Sequence, residues 1–234
     1  PGRDGGSSSD LERVALSKSQ TAARARFITI EGGEGAGKST QLDLLMTALA
    51  SAGISAERTR EPGGSEGAEA IRRLLLEGAE ERWDAISETL LFYAARREHV
   101  TRLIQPALGR GLWVICDRFA DSTLAYQGYG RGLPIPELKA LHHFALGDFA
   151  PDLTLILDVP VAEGLARAAK RSGDPDRFER LDPDFHERLR HGFHEIAAAE
   201  PQRCVVIDAA GDVESVHRAV LAALTARLGV VLKS

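Results

Sequence analysis

The sequence predicts an α/β protein built on a sheet of five parallel strands with helices on both faces. Apolar runs of strand length, at residues 112–116 and 153–157 among others, alternate with segments of helical periodicity. Three of these runs lead directly into Gly32, Asp117 or Asp158, residues that favour a turn. Strands separated by helices form βαβ units, and such units build a parallel sheet.

The predicted elements account for one domain, which the length of 234 residues also favours. The predicted strands lie at residues 27–31, 55–59, 112–116, 153–157 and 204–207. The predicted helices lie at residues 38 to about 53, 66–76, 85–108, 122–127, 136–146, 161–171, 183–199 and 213–228. Residues 1–24 are small and polar without periodicity and are predicted to be a disordered N-terminal tail, which leaves residues 25–234 as the folded domain.

The helix at residues 85–108 is the longest of the predicted elements. We expect Pro106 to end or bend it, because proline removes a helical hydrogen bond. Its periodicity predicts five side chains that face the core, namely Leu90, Leu91, Ala94, Val100 and Leu103.

Composition limits the functional classes. The net charge is −5, which argues against a nucleic-acid-binding surface. No apolar run approaches the roughly 18 residues that a membrane-spanning helix needs. Cys116 and Cys204 lie inside strand-like runs, so we expect buried free thiols and a cytoplasmic protein.

The strongest motif is the glycine-rich stretch at residues 32–39, which matches the pattern G-x-x-x-x-G-K-[ST]. Its glycines let backbone N–H groups approach phosphate oxygens, Lys38 adds a positive charge and Ser39 a hydroxyl for magnesium. The alternative is an ordinary glycine-rich turn, which the preceding strand and the following helix disfavour. The predicted ATP-binding residues are Gly32, Gly33, Glu34, Gly35, Ala36, Gly37, Lys38, Ser39 and Thr40.

Asp117 and Arg118 follow the third predicted strand. Ligands of parallel sheets bind at the carboxyl ends of the strands, so both residues are expected beside the phosphate loop. Asp117 is a candidate magnesium residue together with Ser39, although a strand-end aspartate also caps turns. The planar guanidinium of Arg118 suits a second phosphate.

Phe92 and Arg96 are spaced i, i+4 on the predicted helix at residues 85–108. A ring beside a guanidinium suits the recognition of a nucleobase. The spacing alone favours the alternative, a core aromatic residue next to a surface arginine.

A basic segment surrounds the polar residues 172–182. A run of charges is usually a solvated surface, but a flexible basic segment can also close over a nucleotide, exclude water and supply an arginine to the transition state. The sequence leaves both readings open. The arginines and lysine of this segment are Arg167, Lys170, Arg171, Arg177, Arg180, Arg188 and Arg190.

Six motifs in this order resemble those of the thymidylate kinase family, from about residue 26 to the C-terminus. They are EGGEGAGKST at residues 31–40, TREPGG at 59–64, LFYAAR at 91–96, DRF at 117–119, STLAYQG at 122–128 and PDLTLILD at 151–158. The resemblance implies the fold of P-loop nucleoside monophosphate kinases. It also implies transfer of the γ-phosphate of ATP to dTMP with Mg²⁺, and a homodimer, for which the helices near Leu90 and Leu141 offer apolar faces.

The resemblance also implies roles for the residues that would contact the base of dTMP. Phe92 matches the ring that stacks on thymine, and Arg96 matches the arginine at the base edge and the acceptor phosphate. Thr123 matches a position that contacts the base, and Pro62 one that lines the pocket. The resemblance thus reverses the preference that spacing alone gives for Phe92 and Arg96.

Three further residues are implied to contact the sugar and phosphate of dTMP. Tyr126 matches the aromatic residue that crowds the sugar 2′ position, Arg118 the arginine on the dTMP phosphate, and Glu34 the acidic residue near the 3′-hydroxyl. The predicted dTMP-binding set is therefore Glu34, Pro62, Phe92, Arg96, Arg118, Thr123 and Tyr126.

Gly35 implies where the catalytic arginine lies. Some family members carry an arginine at this position, whereas bacterial members with glycine here take it from a basic lid, which corresponds to about residues 171–182. Arg177 is the predicted lid arginine, with Arg167 and Arg171 as alternatives. The predicted catalytic residues are therefore Lys38, Arg118 and Arg177.

Two other functions stay open. The first is a neighbouring nucleoside monophosphate kinase or a deoxynucleoside kinase, which Tyr126, Phe92 and Arg96 disfavour. The second is a nucleotide-dependent switch, for which the sequence offers no recognisable water-orienting group or effector loop.

Overall fold

The computed structural model describes residues 24–79, 82–170, 177–178 and 180–232. Apart from residue 24, the predicted tail at residues 1–24 lies outside the described residues. Most of the predicted lid at residues 171–182 also lies outside them.

Five parallel strands form one sheet, as predicted, in the order β2-β3-β1-β4-β5. Ile28 of the central strand lies opposite Ile115 on one side and Leu153 on the other. The observed strands differ from the predicted ones by one residue at most at either end. The strands are β1 Phe27–Gly32, β2 Ala56–Arg60, β3 Trp113–Asp117, β4 Leu153–Asp158 and β5 Cys204–Asp208.

Helices connect the strands in every βαβ unit. The helices are α1 Lys38–Ser51, α2 Glu66–Leu76, α3 Ala85–His99, α4 Gln105–Gly109, α5 Ala120–Thr123, α6 Ile135–Leu146, α7 Val161–Ala169, α8 Pro183–Ala199 and α9 Val213–Leu228. Two π-helical segments, Val100–Ile104 and Leu124–Gly130, extend α3 and α5.

Pro106 does not end the long helical region, which continues to Gly109. It lies in the first turn of α4, directly after the widened turn at Val100–Ile104. A π-helical turn is one way in which a helix accommodates a disrupted hydrogen-bond ladder.

The prediction for the core face of α3 was wrong in part. Leu90 is 52% exposed, and Ala94 is also exposed. Val100 is buried as predicted, but the buried positions of α3 include Glu88 and Arg96, so polar side chains occupy part of the inner face. The spacing of apolar residues predicted the wrong inner face, because the true inner face of α3 contacts polar partners as well as the core.

The two faces of the sheet pack against different helices. Ile28 and Ile30 of β1 point toward α1 and α9, where Leu45 and Val220 are buried. Phe27 points to the opposite face, as side chains of successive strand residues do. A third cluster under α8 contains Ile156, Phe185, Leu189 and Phe193. Cys116 and Cys204 are free and buried, as predicted.

Candidate active site

The phosphate loop connects β1 to α1 and packs tightly on its neighbours. Gly35 has a φ of +67°, and a Cβ there would lie 1.9 Å from the carbonyl oxygen of Gly164 in α7. A Cβ on Gly164 would in turn lie 2.4 Å from the carbonyl oxygen of Glu34. An arginine at position 35 therefore cannot fit here without a shift of backbone, and Gly164 is a partner of the loop that the sequence analysis missed.

Lys38 begins α1 and is buried. Its Nζ donates to the carbonyl oxygens of Gly32 at 3.1 Å and Gly33 at 2.7 Å. Burial and the charge of Arg118 lower the pKa of Lys38 to about 8. The ammonium group thus lies inside the loop, at the amino end of a helix, where anions are favoured.

Ser39 and Asp117 lie together, as predicted for a magnesium site. The Ser39 hydroxyl donates to Asp117 Oδ2 at 3.4 Å. Asp117 Oδ1 is buried and has no hydrogen-bond partner among the described residues. An orphaned carboxylate oxygen beside a hydroxyl is a donor set that Mg²⁺ or its water ligands accept, so the residues fit this ion. The described residues contain no cluster of three or more His, Cys, Asp or Glu side chains that could hold a metal.

A cavity of about 310 Å³ contains the phosphate loop from Glu34 to Thr40. Its remaining walls include Asp117, Arg118 and Arg167. The loop, the candidate magnesium residues and a strand-end arginine therefore open into the same space.

A second cavity, of about 90 Å³, adjoins the first. Arg118 and Glu34 line both cavities, together with Glu61 and Arg72. All seven predicted dTMP-binding residues line this second cavity: Glu34, Pro62, Phe92, Arg96, Arg118, Thr123 and Tyr126. Because residues from six separate parts of the chain meet here, the cavity is the natural place for a second ligand.

Arg118 forms the wall between the cavities. Its backbone has a φ of +68°, which non-glycine residues rarely adopt. Its Nη2 donates to Glu34 Oε1 at 2.9 Å, Nη1 donates to the carbonyl oxygen of Gly32 at 3.1 Å, and the guanidinium lies 5.0 Å from the Tyr126 ring centroid. Although burial disfavours its charge, the neighbouring Tyr126 and Glu34 raise the pKa of Arg118.

Glu34 is ionised in this arrangement. Burial would raise its pKa, but the charges of Arg118 and Lys38 lower it to about 2. The Tyr126 hydroxyl also donates to Glu34 Oε1 at 2.6 Å. Glu34 therefore remains a hydrogen-bond acceptor throughout the neutral pH range.

Arg96 is not a surface residue, because its side chain is only 2% exposed. The interpretation of Phe92 and Arg96 as a core ring beside a surface arginine is therefore wrong. The Arg96 guanidinium lies 4.8 Å from the Tyr93 ring centroid and 5.3 Å from that of Phe119. Phe92 faces the same cavity, with its ring centroid 6.0 Å from that of Phe178.

The structure does not bring Arg177 to the phosphate loop. Arg177 is fully buried and forms an ion pair with Glu88 of α3. Arg167, one of the two alternatives, lines the phosphate cavity and donates to the carbonyl oxygens of Ala209 and Ala210. Arg171, the other alternative, lies outside the described residues.

Several residues that line the two cavities were not predicted from the sequence. Arg72 of α2 lines both cavities and donates to the carbonyl oxygen of Pro62 at 2.6 Å. Phe178 lines the second cavity, and Glu61 contacts Arg96. Arg72 lies in no recognised motif, and Phe178 was predicted only as part of the lid segment, next to Arg177. Glu61 lies in the TREPGG motif next to the predicted Pro62, and this position could have indicated that it belongs to the site.

No helix among the described residues is long and apolar enough to cross a membrane.

The family model described as thymidylate kinase matches residues 30–220. A thymidylate kinase from Nitrobacter hamburgensis is 57% identical over 208 residues, which cover 88% of this chain and 90% of that protein. One from Caulobacter vibrioides is 54% identical over 203 residues, covering 87% and 97%.

A solved structure shows the same fold. The crystal structure of thymidylate kinase from Ehrlichia chaffeensis matches with a TM-score of 0.69 and 38% identity, and the match covers 86% of this chain and 98% of the other. Both the predicted fold and the predicted resemblance are confirmed. The chain belongs to the thymidylate kinase family.

Proposed function

We propose that this chain transfers the γ-phosphate of ATP to dTMP, which yields dTDP for the synthesis of dTTP. The observation that supports this most is the meeting of two cavities at Arg118 and Glu34. One contains the phosphate loop, and the other contains all seven residues that the family resemblance assigns to dTMP. Membership of the thymidylate kinase family supports the same reaction.

Catalysis would consist of positioning and charge neutralisation. The backbone N–H groups of the loop and Lys38 bind the phosphates of ATP, while Arg118 binds the phosphate of dTMP. The acceptor oxygen then attacks the γ-phosphorus in line with the leaving β–γ bridging oxygen, without a covalent enzyme intermediate.

Magnesium is part of the proposal. Ser39 and Asp117 are the residues that would hold it, because the hydroxyl and the orphaned carboxylate oxygen lie together at the phosphate cavity. When bound, the ion supplies positive charge to the oxygens of the β- and γ-phosphates.

The residues that line the second cavity support a pyrimidine deoxynucleotide as the acceptor. Phe92 supplies a flat apolar surface and Arg96 a hydrogen-bond donor for the base, with Thr123 beside them. The ionised Glu34 can accept from the sugar 3′-hydroxyl, and the Tyr126 ring, buried beside it, would crowd a 2′-hydroxyl.

A substrate panel tests this function. A coupled assay with dTMP, dUMP, dCMP, AMP and thymidine is expected to give the highest kcat/KM for dTMP. Phosphorylation of thymidine but not of dTMP would overturn the proposal in favour of a deoxynucleoside kinase. Tight ATP binding without turnover of any acceptor would favour a nucleotide-dependent switch.

We propose Arg177 as the lid arginine on the basis of the resemblance. The Arg177→Ala variant is expected to lower kcat by about 10²-fold and to change the KM for dTMP little, because its contact forms mainly in the transition state. Steady-state kinetics of Arg177→Ala and Arg167→Ala, measured in parallel, check this. A wild-type kcat for Arg177→Ala would overturn the assignment and favour Arg167 or Arg171.

Arg131 offers the matched control for this experiment. It also forms an ion pair with Glu88, with Nε 2.8 Å from Glu88 Oε1. If Arg131→Ala lowers kcat as much as Arg177→Ala does, the loss arises through the buried carboxylate of Glu88 rather than through a lid arginine.

We propose a homodimer that forms through α3 and α6. Ile86, Leu90 and Phe144 are 62%, 52% and 88% exposed on these two helices, and a groove between them is lined by Leu90, Leu141 and Phe144. An apolar face of this kind is costly to leave in water.

Light scattering is expected to give a dimer mass for the wild type and a monomer mass for Phe144→Glu. A Val213→Glu variant, with a similar change at a residue 52% exposed on α9, is expected to stay dimeric. A dimeric Phe144→Glu would place the interface elsewhere.

We also propose a cytoplasmic location. Both cysteines are buried free thiols, which is ordinary in a reducing compartment. The proposed reaction uses ATP and serves nucleotide synthesis.

A further inference from the structure

A buried carboxylate holds Arg96 from the side opposite its free nitrogen. Arg96 Nε donates to Glu61 Oε2 at 2.6 Å, and Nη2 donates to the carbonyl oxygen of Phe119 at 3.1 Å. The third nitrogen, Nη1, is buried and has no hydrogen-bond partner among the described residues. Two of the three guanidinium nitrogens are thus held by the protein, and the third is an unsatisfied donor on a side chain that lines the second cavity.

Glu61 is itself held by a histidine. His99 Nδ1 lies 3.1 Å from Glu61 Oε1, and His99 Nε2 lies 2.7 Å from Thr59 Oγ1. Because a carboxylate oxygen only accepts hydrogen bonds, Nδ1 carries the proton. In the neutral ring Nε2 then accepts from the Thr59 hydroxyl, which assigns the tautomer from its partners. Thr59, His99, Glu61 and Arg96 are all buried.

The backbone leaves this chain of side chains little room to move. A Cβ on Gly64 would lie 2.4 Å from His99 Nε2 and 2.5 Å from Thr59 Oγ1. The loop that carries Glu61 and Pro62 therefore rests directly on the histidine. A side chain that is held on every side in this way has one orientation, and so does the guanidinium at the end of the chain.

Charge attraction alone does not explain this arrangement. Glu61 compensates the positive charge of Arg96, so the pair adds little long-range attraction for an anionic phosphate. The pair can instead fix the orientation of a hydrogen-bond donor. A guanidinium held at Nε and Nη2 keeps Nη1 in a fixed plane. A donor of fixed orientation contributes more to recognition of the polar edge of a base, where hydrogen bonds need a defined geometry, than to attraction of the spread charge of a phosphate.

We propose that Glu61 and His99 are positioning residues for the acceptor nucleotide, acting through Arg96. They fix the guanidinium plane so that Nη1 stays available to the base edge of dTMP. This inference rests on the proposed function, since it takes Arg96 as an acceptor-binding residue. His99 lines neither cavity, and the role proposed for Glu61 is exerted through Arg96 rather than on the reacting atoms.

The test compares two changes at His99. The His99→Leu variant removes the donor to Glu61 and is expected to raise the KM for dTMP by about 5- to 10-fold, the worth of one buried hydrogen bond. The KM for ATP is expected to stay within about twofold of the wild type, because His99 does not line the phosphate cavity and the residues of the phosphate loop are unchanged. In His99→Asn the amide nitrogen takes the place of Nδ1, and this variant is expected to restore most of the affinity for dTMP.

Three further variants keep the outcome decisive. His191→Leu makes the same change at an exposed histidine of α8 and is expected to leave both KM values unchanged. Thr59→Val breaks only the last bond of the chain and is expected to raise the KM for dTMP about two- to threefold, which provides a readout if His99→Leu does not fold. Arg96→Met is expected to raise this KM by more than about tenfold.

The results separate this inference from the proposed function. If Arg96→Met leaves the KM for dTMP unchanged, the assignment of Arg96 to the acceptor is wrong. If Arg96→Met raises this KM but His99→Leu and Thr59→Val do not, the positioning role is overturned. Equal rises in both KM values, a lower melting temperature and no rescue by His99→Asn would show a merely structural role and also overturn it.

Discussion

Replacing Lys38 with alanine is expected to lower kcat by about 10³-fold, which corresponds to about 4 kcal/mol of transition-state stabilisation. Lys38 supplies the positive charge inside the phosphate loop, where its Nζ lies against the carbonyl oxygens of Gly32 and Gly33. Charge develops on the transferred phosphoryl oxygens during the reaction, and a buried cation stabilises it more strongly than water does.

The fold is expected to survive this change, because an alanine at the start of α1 is compatible with a helix. Circular dichroism and thermal unfolding of Lys38→Ala check the fold, and a coupled assay at saturating ATP and dTMP checks kcat. Lys38→Met retains the length of the side chain without its charge and is expected to lose as much activity. Unchanged turnover in either variant would refute the assignment of residues 32–39 as the phosphate loop.

The sequence predicted the fold well because the central strands are mostly apolar. β1, β3 and β4 are buried on both faces of the sheet, so apolar residues dominate their sequences, with polar residues mainly at the carboxyl ends. The edge strand β2, with the sequence AERTR, lacks such a run and could be placed only by its position between two helices. The inner face of α3 was missed because it binds polar partners rather than apolar ones.

The candidate site could be proposed from the sequence where adjacent residues form one motif. The phosphate loop is such a motif, since its glycines, Lys38 and Ser39 are adjacent in the sequence. The ion pairs that hold Arg96 and Arg177, by contrast, join residues that are far apart in the sequence. Glu61 and Arg96 are 35 residues apart, and Glu88 and Arg177 are 89 residues apart. Pairs of this kind arise from tertiary packing, and a single sequence contains no local signal for them.

Arg118 lines both cavities, which is why we propose it as a catalytic residue. Its position follows from the strand end at Asp117 and from the unusual backbone conformation of Arg118 itself. From there the side chain reaches the carbonyl oxygen of Gly32 on the loop and the carboxylate of Glu34. A group placed between a donor and an acceptor phosphate stabilises the phosphoryl group while it passes from one to the other.

The Arg118→Met variant is therefore expected to lower kcat by about 10²- to 10³-fold and to raise the KM for dTMP, with little change in the KM for ATP. The substitution also leaves Glu34 buried without its main counter-charge, which could by itself repel an anionic substrate. The double variant Arg118→Met with Glu34→Gln separates the two causes, because it removes the repelling carboxylate as well. If the double variant recovers wild-type kcat, Arg118 acts only by neutralising Glu34. If it remains as slow as the single variant, as we expect, the guanidinium acts on the transferred phosphoryl group itself.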